Sequence, residues 1–126
     1  MRENFSSGAK WEEIVGYSRA VKVGQHIEIS GTTSVDSGIV LHPGNAYLQT
    51  KEIIKIAQNV LERAGAKLDH VVRTRTYVTD ISHWEMVAKA HGEAFKNIKP
   101  ATTLVEVSAL IDPDMLVEIE FTALVE

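Results

Sequence analysis

Two amphipathic helices set between strand-forming segments are the feature that most constrains how this chain can fold. Apolar residues recur at helical spacing from Ala46 to Ala64, and Gly65 follows at the position of a C-terminal cap. A second helix is predicted from Ser82, because this serine and Glu85 match a capping box. Two helices can cover only one face of a sheet, so the other face has to be polar or buried against another surface.

Alternating β-branched and apolar residues predict strands on both sides of these helices. A hairpin over 17–32 precedes the first helix, a strand near 70–79 follows it, and two more strands close the chain after Pro100. The first dozen residues are expected to form a loop. The order β-β-α-β-α-β-β predicts one α+β domain, residues 1–126, with a mixed sheet of four or five strands and both helices on one face.

Composition places the chain among ordinary globular domains, with 44% hydrophobic and 24% charged residues. A formal net charge of -4 argues against general nucleic-acid or membrane-surface binding, because phosphates are held by clustered cations. The lack of cysteine excludes disulfides, thiolate catalysis and cysteine-ligated zinc, and the histidines lack metal-site spacing. With no signal peptide or membrane span in the sequence, we expect a cytoplasmic protein without cofactor or metal.

The two closing strands carry acids where a half-buried sheet usually has none. The open face is expected to combine acids, hydroxyls and leucines from both strands: Thr102, Leu104, Glu106 and Ser108 from the first, and Glu118, Glu120, Thr122 and Leu124 from the second. Their neighbours, among them Thr103 and Val105, are expected to pack under the helices. This mixture is typical of a half-buried subunit interface, so we expect the chain to associate.

Three segments carry a more specific pattern: "VKVGQHIEISGTTSVDSG", "AQNVLERAGAKLDHVVRTRTYVTDI" and "KPATTLVEVSALIDPDMLVEIEFTALV". From about Val15 to Val125 the chain resembles the RidA (YjgF-type, L-PSP-type) family of reactive-intermediate deaminases. The resemblance implies a chorismate-mutase-like fold and a homotrimer with sites in the clefts between subunits. It also implies hydrolysis of reactive enamines and imines, such as 2-aminoacrylate, to a 2-keto acid and ammonia. A ribonuclease activity is also attached to the family's name, and the acidic charge balance argues against it here.

The resemblance implies roles for individual residues. Glu118 matches the acid that positions the attacking water, and Tyr17 matches a tyrosine of the first strand. Ser30 and Gly31 match the pair that lines the site. The arginine that clamps the substrate carboxylate in deaminating members is replaced by Thr102. A hydroxyl does not reproduce a bidentate arginine, so either another arginine reaches the cleft or the substrate carries no carboxylate there.

Three arginines and one histidine are candidates for the missing anchor. Arg19 lies on the same side of its predicted strand as Tyr17. For both Arg19 and Arg73, a position at a solvated or interface edge of the sheet explains the residue as well as a role in the site does. Arg75, in the middle of a strand, fits a cleft and an edge equally. His91 lies on the apolar face of the second helix, which is typical of a packing residue, and alternatively it is an acid, base or ligand contact.

The sequence therefore predicts a hydrolase of imines, enamines or a related C–N bond, with Glu118 as catalytic residue. The predicted substrate-binding residues are Tyr17, Arg19, Ser30, Gly31, Arg75, His91 and Thr102. The alternative is a non-catalytic homotrimer that binds a small molecule as a metabolite sensor or sequestering protein. In an enzyme Glu118 and Arg75 would face a cleft with room for water, whereas in the alternative they would form an ion pair. Glu106 and Glu120 are assigned to the subunit interface.

Overall fold

A computed structural model describes all residues from 1 to 126 and contains one six-stranded sheet with two long helices on one face. The sheet has the order β1-β2-β3-β8-β6-β7, and its strands are β1 (Arg2–Phe5), β2 (Ala20–Val23), β3 (His26–Thr32), β6 (Val71–Val78), β7 (Ala101–Glu106) and β8 (Val117–Leu124). A small hairpin pairs β4 (Val35–Asp36) with β5 (Ile39–Val40), and the helices are α1 (Lys10–Val15), α2 (Ala46–Arg63) and α3 (Trp84–Phe95). The predicted α+β class, with both long helices on one face, is confirmed.

Strand pairing places β8 in the middle of the sheet. The parallel pair is β6 with β7, which α3 connects, and the other neighbours are antiparallel. Alternate residues of β8 are fully buried under the helices, namely Val117, Ile119 and Phe121. The residues between them, Glu118 and Glu120, therefore lie on the open face, in the centre of the sheet. No helix of the chain has the length and apolarity needed to cross a membrane.

One buried polar side chain ties two loops to α2. Gln49 is fully buried, and its amide nitrogen donates to the carbonyls of Leu41 (3.3 Å), His42 (3.2 Å) and Asp114 (2.8 Å). Its amide oxygen accepts from the Leu116 N–H at 2.9 Å. This glutamine therefore supplies hydrogen-bond partners for backbone groups of the segment before α2 and of the segment that leads into β8.

The N-terminal segment differs from the predicted loop. β1 pairs with β2 in antiparallel register, with Arg2 opposite Val23, and so extends the sheet to six strands. Glu12 in α1 is buried. Its carboxylate accepts hydrogen bonds from the hydroxyl and the N–H of Ser7 and from the Ser6 hydroxyl (2.8 Å). The charge of this acid is thus satisfied locally, which holds α1 against the end of β1.

The start of α3 and the faces of β7 also differ from the prediction. α3 begins at Trp84, and Asp80 caps the preceding turn by accepting from the Ser82 N–H at 2.9 Å. The parallel register with β6 places Thr102 beside Thr74 and Leu104 beside Thr76. Thr74 and Thr76 are buried under the helices. The assignment of Thr102 and Leu104 to the open face was therefore wrong.

Candidate functional site

Glu118 lies on the open face directly against the backbone of β3. A Cβ atom added to Gly31 would lie 2.9 Å from Cδ of Glu118 and closer still to Oε2, so a glycine is needed for this approach. The carboxyl group accepts no hydrogen bond within the chain and belongs to none of its ion pairs, which are His26–Glu28, Lys51–Glu93 and Asp80–His83. A half-buried carboxyl group with both oxygens uncommitted remains available to a ligand or a water molecule.

The surroundings of Glu118 favour its protonated form. Burial raises the pKa of this carboxyl above its ordinary value, since the charged form loses hydration. The Arg19 guanidinium acts in the opposite direction, and the negative charge of Glu120 on the same strand raises the pKa further. An acid shifted upward in this way holds its proton more readily than a free carboxyl group, which suits it to proton transfer.

Arg19 is buried beside Glu118, with 9% of its surface exposed. Its Nη2 donates to the Gly31 carbonyl at 2.7 Å, and the guanidinium lies 5.7 Å from the ring centroid of Tyr17. Nε is buried without a partner. Within one chain Arg19 is therefore not at a solvated edge, and its hydrogen bond is to a backbone carbonyl.

Tyr17 and Ser30 border an open depression of about 460 Å³ between α1 and the sheet. Gly16, Glu13 and Val21 also line it. The Ser30 hydroxyl donates to the Ser18 carbonyl at 2.6 Å, and the Ser30 N–H donates to the Arg19 carbonyl at 2.9 Å. Ser30 therefore fixes the backbone on either side of Arg19.

Arg75 lies on the same face as Glu118 but toward the β6 side of the sheet. Arg75 is opposite Glu120 in the strand register, and Tyr77 is opposite Glu118. The Tyr77 hydroxyl donates to Glu120 Oε1 at 3.0 Å, and this bond raises the pKa of Tyr77. Arg75 and Glu118 do not form an ion pair with each other. The arrangement expected of the non-catalytic alternative, a bridge between these two residues, is therefore absent.

His91 and Thr102 lie on the opposite face of the sheet. Nε2 of His91 is 2.9 Å from Oγ1 of Thr74, which is in turn 2.7 Å from Oγ1 of Thr102. The His91 ring stacks on Phe95 with centroids 4.7 Å apart, and burial lowers the pKa of His91, so its neutral form is favoured. One chain does not bring these two candidates to Glu118.

Sequence reasoning missed Thr74, which links His91 to Thr102. The residue is fully buried, and a threonine at a helix-facing strand position is a signal for a buried hydroxyl partner. Glu106 is also separate from the site, because it accepts from the Ile81 N–H at 2.9 Å near the start of α3. The structure contains no group of three or more histidine, cysteine, aspartate or glutamate side chains that could hold a metal ion.

The geometry brings together Glu118, Gly31, Arg19, Ser30 and Tyr17 from three neighbouring segments of the chain. A carboxyl group with a raised pKa lies near a fixed guanidinium, and the depression that Tyr17 and Ser30 border is lined by neither of these two groups. Such a pair can transfer protons to and from a small molecule while a cation holds its negative group.

Comparison with known proteins agrees with this fold. A family model described as Endoribonuclease L-PSP matches residues 8–125. A RutC family protein from Pyrococcus abyssi is 37% identical over 109 residues, which cover 85% of this chain and 84% of the relative. An uncharacterized protein from Streptomyces coelicolor is 34% identical over 117 residues, which cover 93% of this chain and 87% of the relative.

Solved structures give the same result. A member of the YjgF/YER057c/UK114 family from Mycobacterium tuberculosis superposes with a TM-score of 0.90 at 45% identity, covering 99% of this chain and 100% of that one. A protein of the conserved Rid family from Yersinia pestis superposes with a TM-score of 0.86 at 29% identity, with 99% and 100% coverage. Because the family model spans nearly the whole chain and both kinds of similarity agree, this chain belongs to the Endoribonuclease L-PSP family, which includes the YjgF and RutC proteins.

Proposed function

We propose that this protein hydrolyses imines and enamines, or a related C–N bond, and releases ammonia at sites between the subunits of a homotrimer. The observation that carries the proposal is the state of Glu118. Its carboxyl group is half-buried, has a raised pKa, has no partner in the chain and lies against a glycine on an uncovered sheet face. A carboxyl group with a purely structural role would be expected to have a partner.

The chemistry needs one group that both takes and returns a proton. Ionised Glu118 accepts a proton from a water molecule as the water oxygen bonds to the imine carbon. The same proton is then returned to the nitrogen of the adduct. The C–N bond breaks as the new hydroxyl group gives its proton to the Glu118 carboxylate, so that ammonia leaves and a carbonyl remains. An enamine enters this sequence after a proton is added at its carbon, which gives the imine.

Two copies of the chain are needed if Thr102 takes part. Glu118 is on the open face, whereas Thr102 is on the opposite face of the exposed edge strand β7. The open face and its edges also leave Val105 and Leu124 exposed, at 42% and 47% of their surface. A second copy that covers this face would bury these side chains and form a cleft at the subunit boundary, which supports self-association.

One observation favours the alternative, a non-catalytic trimer that binds a small molecule. The hydroxyl of Thr102 is engaged with Thr74 and carries no charge, so this position supplies no clamp for a carboxylate. The endoribonuclease activity in the family's description has less support, because the chain has a net charge of -4.

The test measures 2-keto acid and ammonia release from freshly generated imino acids derived from a panel of amino acids. The wild type is compared with Glu118→Gln and Thr102→Arg. Release above the buffer rate that falls about 100-fold or more in Glu118→Gln supports the hydrolase, since a general acid or base contributes about 100- to 10,000-fold.

Glu120→Gln is the matched control, because it lies two residues along the same strand face and its amide oxygen can still accept from Tyr77. An equal loss in both variants would show a shared structural effect and would count against Glu118 as the catalytic group. Activity that appears only in Thr102→Arg would mean that the natural substrate lacks a carboxylate at this position. No activity in any variant would favour the binding protein.

A further inference from the structure

We propose that His91 and Thr74 form a proton relay that ends at the exposed hydroxyl of Thr102 and delivers a proton to a ligand nitrogen there. Thr102 is the residue that touches the ligand, and His91 and Thr74 are positioning residues that act through it. The proposal deepens the proposed function by giving position 102 a task that needs no charge. It rests on that function for the identity of the ligand, an imine, but not for the hydrogen-bond chain.

The first argument is the continuity of the polar atoms across three elements of the fold. Nε2 of His91 in α3 lies 2.9 Å from Oγ1 of Thr74 in β6, and this oxygen lies 2.7 Å from Oγ1 of Thr102 in β7. Both distances are those of hydrogen bonds. Thr74 is fully buried, so water has no access to the middle of the chain. A proton that moves along it therefore meets solvent only at the two ends.

The second argument is that both ends of the chain are open. Thr102 is exposed although it faces the helices, and β7 is an edge strand. Nδ1 of His91 makes no hydrogen bond, and it is not among the buried polar atoms without a partner, which are Nε of Arg19 and Nδ1 of His83. Nδ1 therefore reaches solvent, and the imidazole can take up a proton at one nitrogen and release one from the other.

The third argument is that Thr74 makes the chain directional. A hydroxyl group carries one hydrogen, so Thr74 can donate to His91 or to Thr102 but not to both. When Nε2 donates to Thr74, Thr74 donates to Thr102, and the hydrogen of Thr102 is left free for a ligand. When Nε2 accepts, the order reverses and the hydrogen of Thr102 is used within the chain. The state of His91 therefore decides whether Thr102 offers a ligand a donor or an acceptor.

Such a relay supplies a proton that Glu118 does not. As the water oxygen bonds to the carbon of a neutral imine, the nitrogen takes the hydrogen of Thr102. Thr102 then takes the hydrogen of Thr74, Thr74 takes that of His91 Nε2, and Nδ1 takes a proton from solvent. Glu118 uses the proton of the attacking water for the departure of ammonia, takes the hydroxyl proton and releases it to solvent. One proton enters and one leaves, so the reaction balances.

A purely structural histidine would explain the contact with Thr74 alone. The His91 ring stacks on Phe95, and burial is the one cause that lowers the pKa of His91, so no charged group holds the ring in one protonation state. A packing role needs neither the bond from Thr74 to Thr102 nor an open Nδ1. The two interpretations differ in whether a change at Thr102 is felt at the His91 ring.

The first test measures this coupling at equilibrium, without turnover. The ring nitrogens of isotopically labelled histidine in the full chain are followed by NMR in the wild type and in Thr102→Val, which replaces the hydroxyl by a methyl group. We expect the Nε2 resonance of His91 to move, although His91 bonds to Thr74 and not to Thr102. Thr103→Val is the matched control and should leave that resonance in place, because the Thr103 hydroxyl bonds to Arg73 instead.

The second test counts the protons in flight during imino-acid hydrolysis. In mixtures of light and heavy water, the rate should follow a curve against the heavy-water fraction in the wild type and a straight line in Thr74→Val. His91→Gln keeps a donor toward Thr74 but cannot take up a second proton, so kcat should fall about 100-fold. Thr74→Ser restores the hydroxyl and should recover most of the rate that Thr74→Val loses.

An unmoved His91 resonance in Thr102→Val, a straight line in the wild type, or full activity of His91→Gln would each overturn the relay. A moved resonance without ammonia release from any imino acid would uphold the chain from His91 to Thr102 and refute the proposed hydrolase. Ammonia release that both Thr74→Val and His91→Gln leave unchanged would uphold the hydrolase and refute the relay.

Discussion

Replacing Gly31 by alanine should displace the Glu118 carboxyl group without disturbing the fold. The new Cβ would lie 2.9 Å from Cδ of Glu118 and 3.3 Å from Cγ. Carbon atoms in contact are about 3.5–4.0 Å apart, so the carboxyl group has to retreat by about 1 Å. The atoms that must move belong to the far end of a side chain, and the φ of Gly31 is outside the left-handed region, so the backbone accepts an alanine.

A shift of this size is large for catalysis and small for stability. Misplacement of a reacting group by about 1 Å can lower a rate about 100-fold. By contrast, a glycine-to-alanine change at a compatible backbone position alters the free energy of unfolding by about 1 kcal/mol or less. We therefore expect kcat/KM for imino-acid hydrolysis to fall about 100-fold in Gly31→Ala, with the melting temperature almost unchanged.

The assay is a double-mutant cycle with Glu118→Gln. If alanine acts by moving the carboxyl group, the loss in Gly31→Ala should largely disappear in the Glu118→Gln background. Gly92→Ala is the matched control, because a Cβ at Gly92 would meet nothing within 4 Å. Full activity in Gly31→Ala, or a loss of the same size with and without Glu118, would refute the argument that this contact positions the acid.

Three further predictions concern stability and its dependence on pH. Gln49→Leu should lower the free energy of unfolding by about 3 kcal/mol, because the Asp114 carbonyl and the Leu116 N–H lose their partner. Urea titrations measure this change, and an unchanged midpoint would contradict the role of Gln49. Thr74→Val should lower the free energy of unfolding by about 1–2 kcal/mol in the same titrations, because it breaks the link between His91 and Thr102. A variant as stable as wild type would show that the link is dispensable. Burial raises the pKa of Glu118 above 4.5, so the folded protein holds this proton more tightly than the unfolded chain, and stability falls as pH rises from 4.5 through the raised pKa. Glu118→Gln should thus melt above wild type at neutral pH and lose that advantage below pH 4.5, whereas an advantage that is the same at both would exclude this cause.

The helices and most strands were predictable because their periodicity is local. α2, predicted over 46–64, spans Ala46–Arg63, and the hairpin strand predicted up to Thr32 ends there. β1 was not predictable, because its four residues, RENF, show no alternation of apolar and polar side chains. Pairing with β2 creates this strand, and that contact is not encoded within the segment itself.

The faces of β7 were not predictable for a different reason. Thr102 and Leu104 on one face and Thr103 and Val105 on the other each combine a hydroxyl with an aliphatic side chain, so alternation does not separate them. The parallel register with β6 determines which residues of β7 face the helices, since it places Thr102 beside the buried Thr74. Registers between strands that are distant in sequence depend on the whole sheet.

The candidate site was also predictable only in part. The resemblance to the family singled out Glu118 and Gly31, but their contact depends on a register shift in β3 between Ile29 and Thr32. A bulge changes the direction of the strand and brings its backbone closer to a neighbouring side chain. The burial of Arg19 depends on the same part of β3 and on the start of β2, so the sequence alone did not favour Arg19 over Arg75.

Strand register also decides how Thr102 relates to Glu118. Thr102 pairs with Thr74 and Thr74 with Phe121, which is three residues from Glu118 along β8. An odd separation changes the face of the sheet, so the two side chains of one chain point away from each other. A ligand that contacts both must therefore lie between two copies, with Glu118 from one and Thr102 from the other. An effect of Thr102→Arg on turnover or binding would thus place the site at a subunit boundary, whereas indifference to that change would show that Thr102 does not line the site.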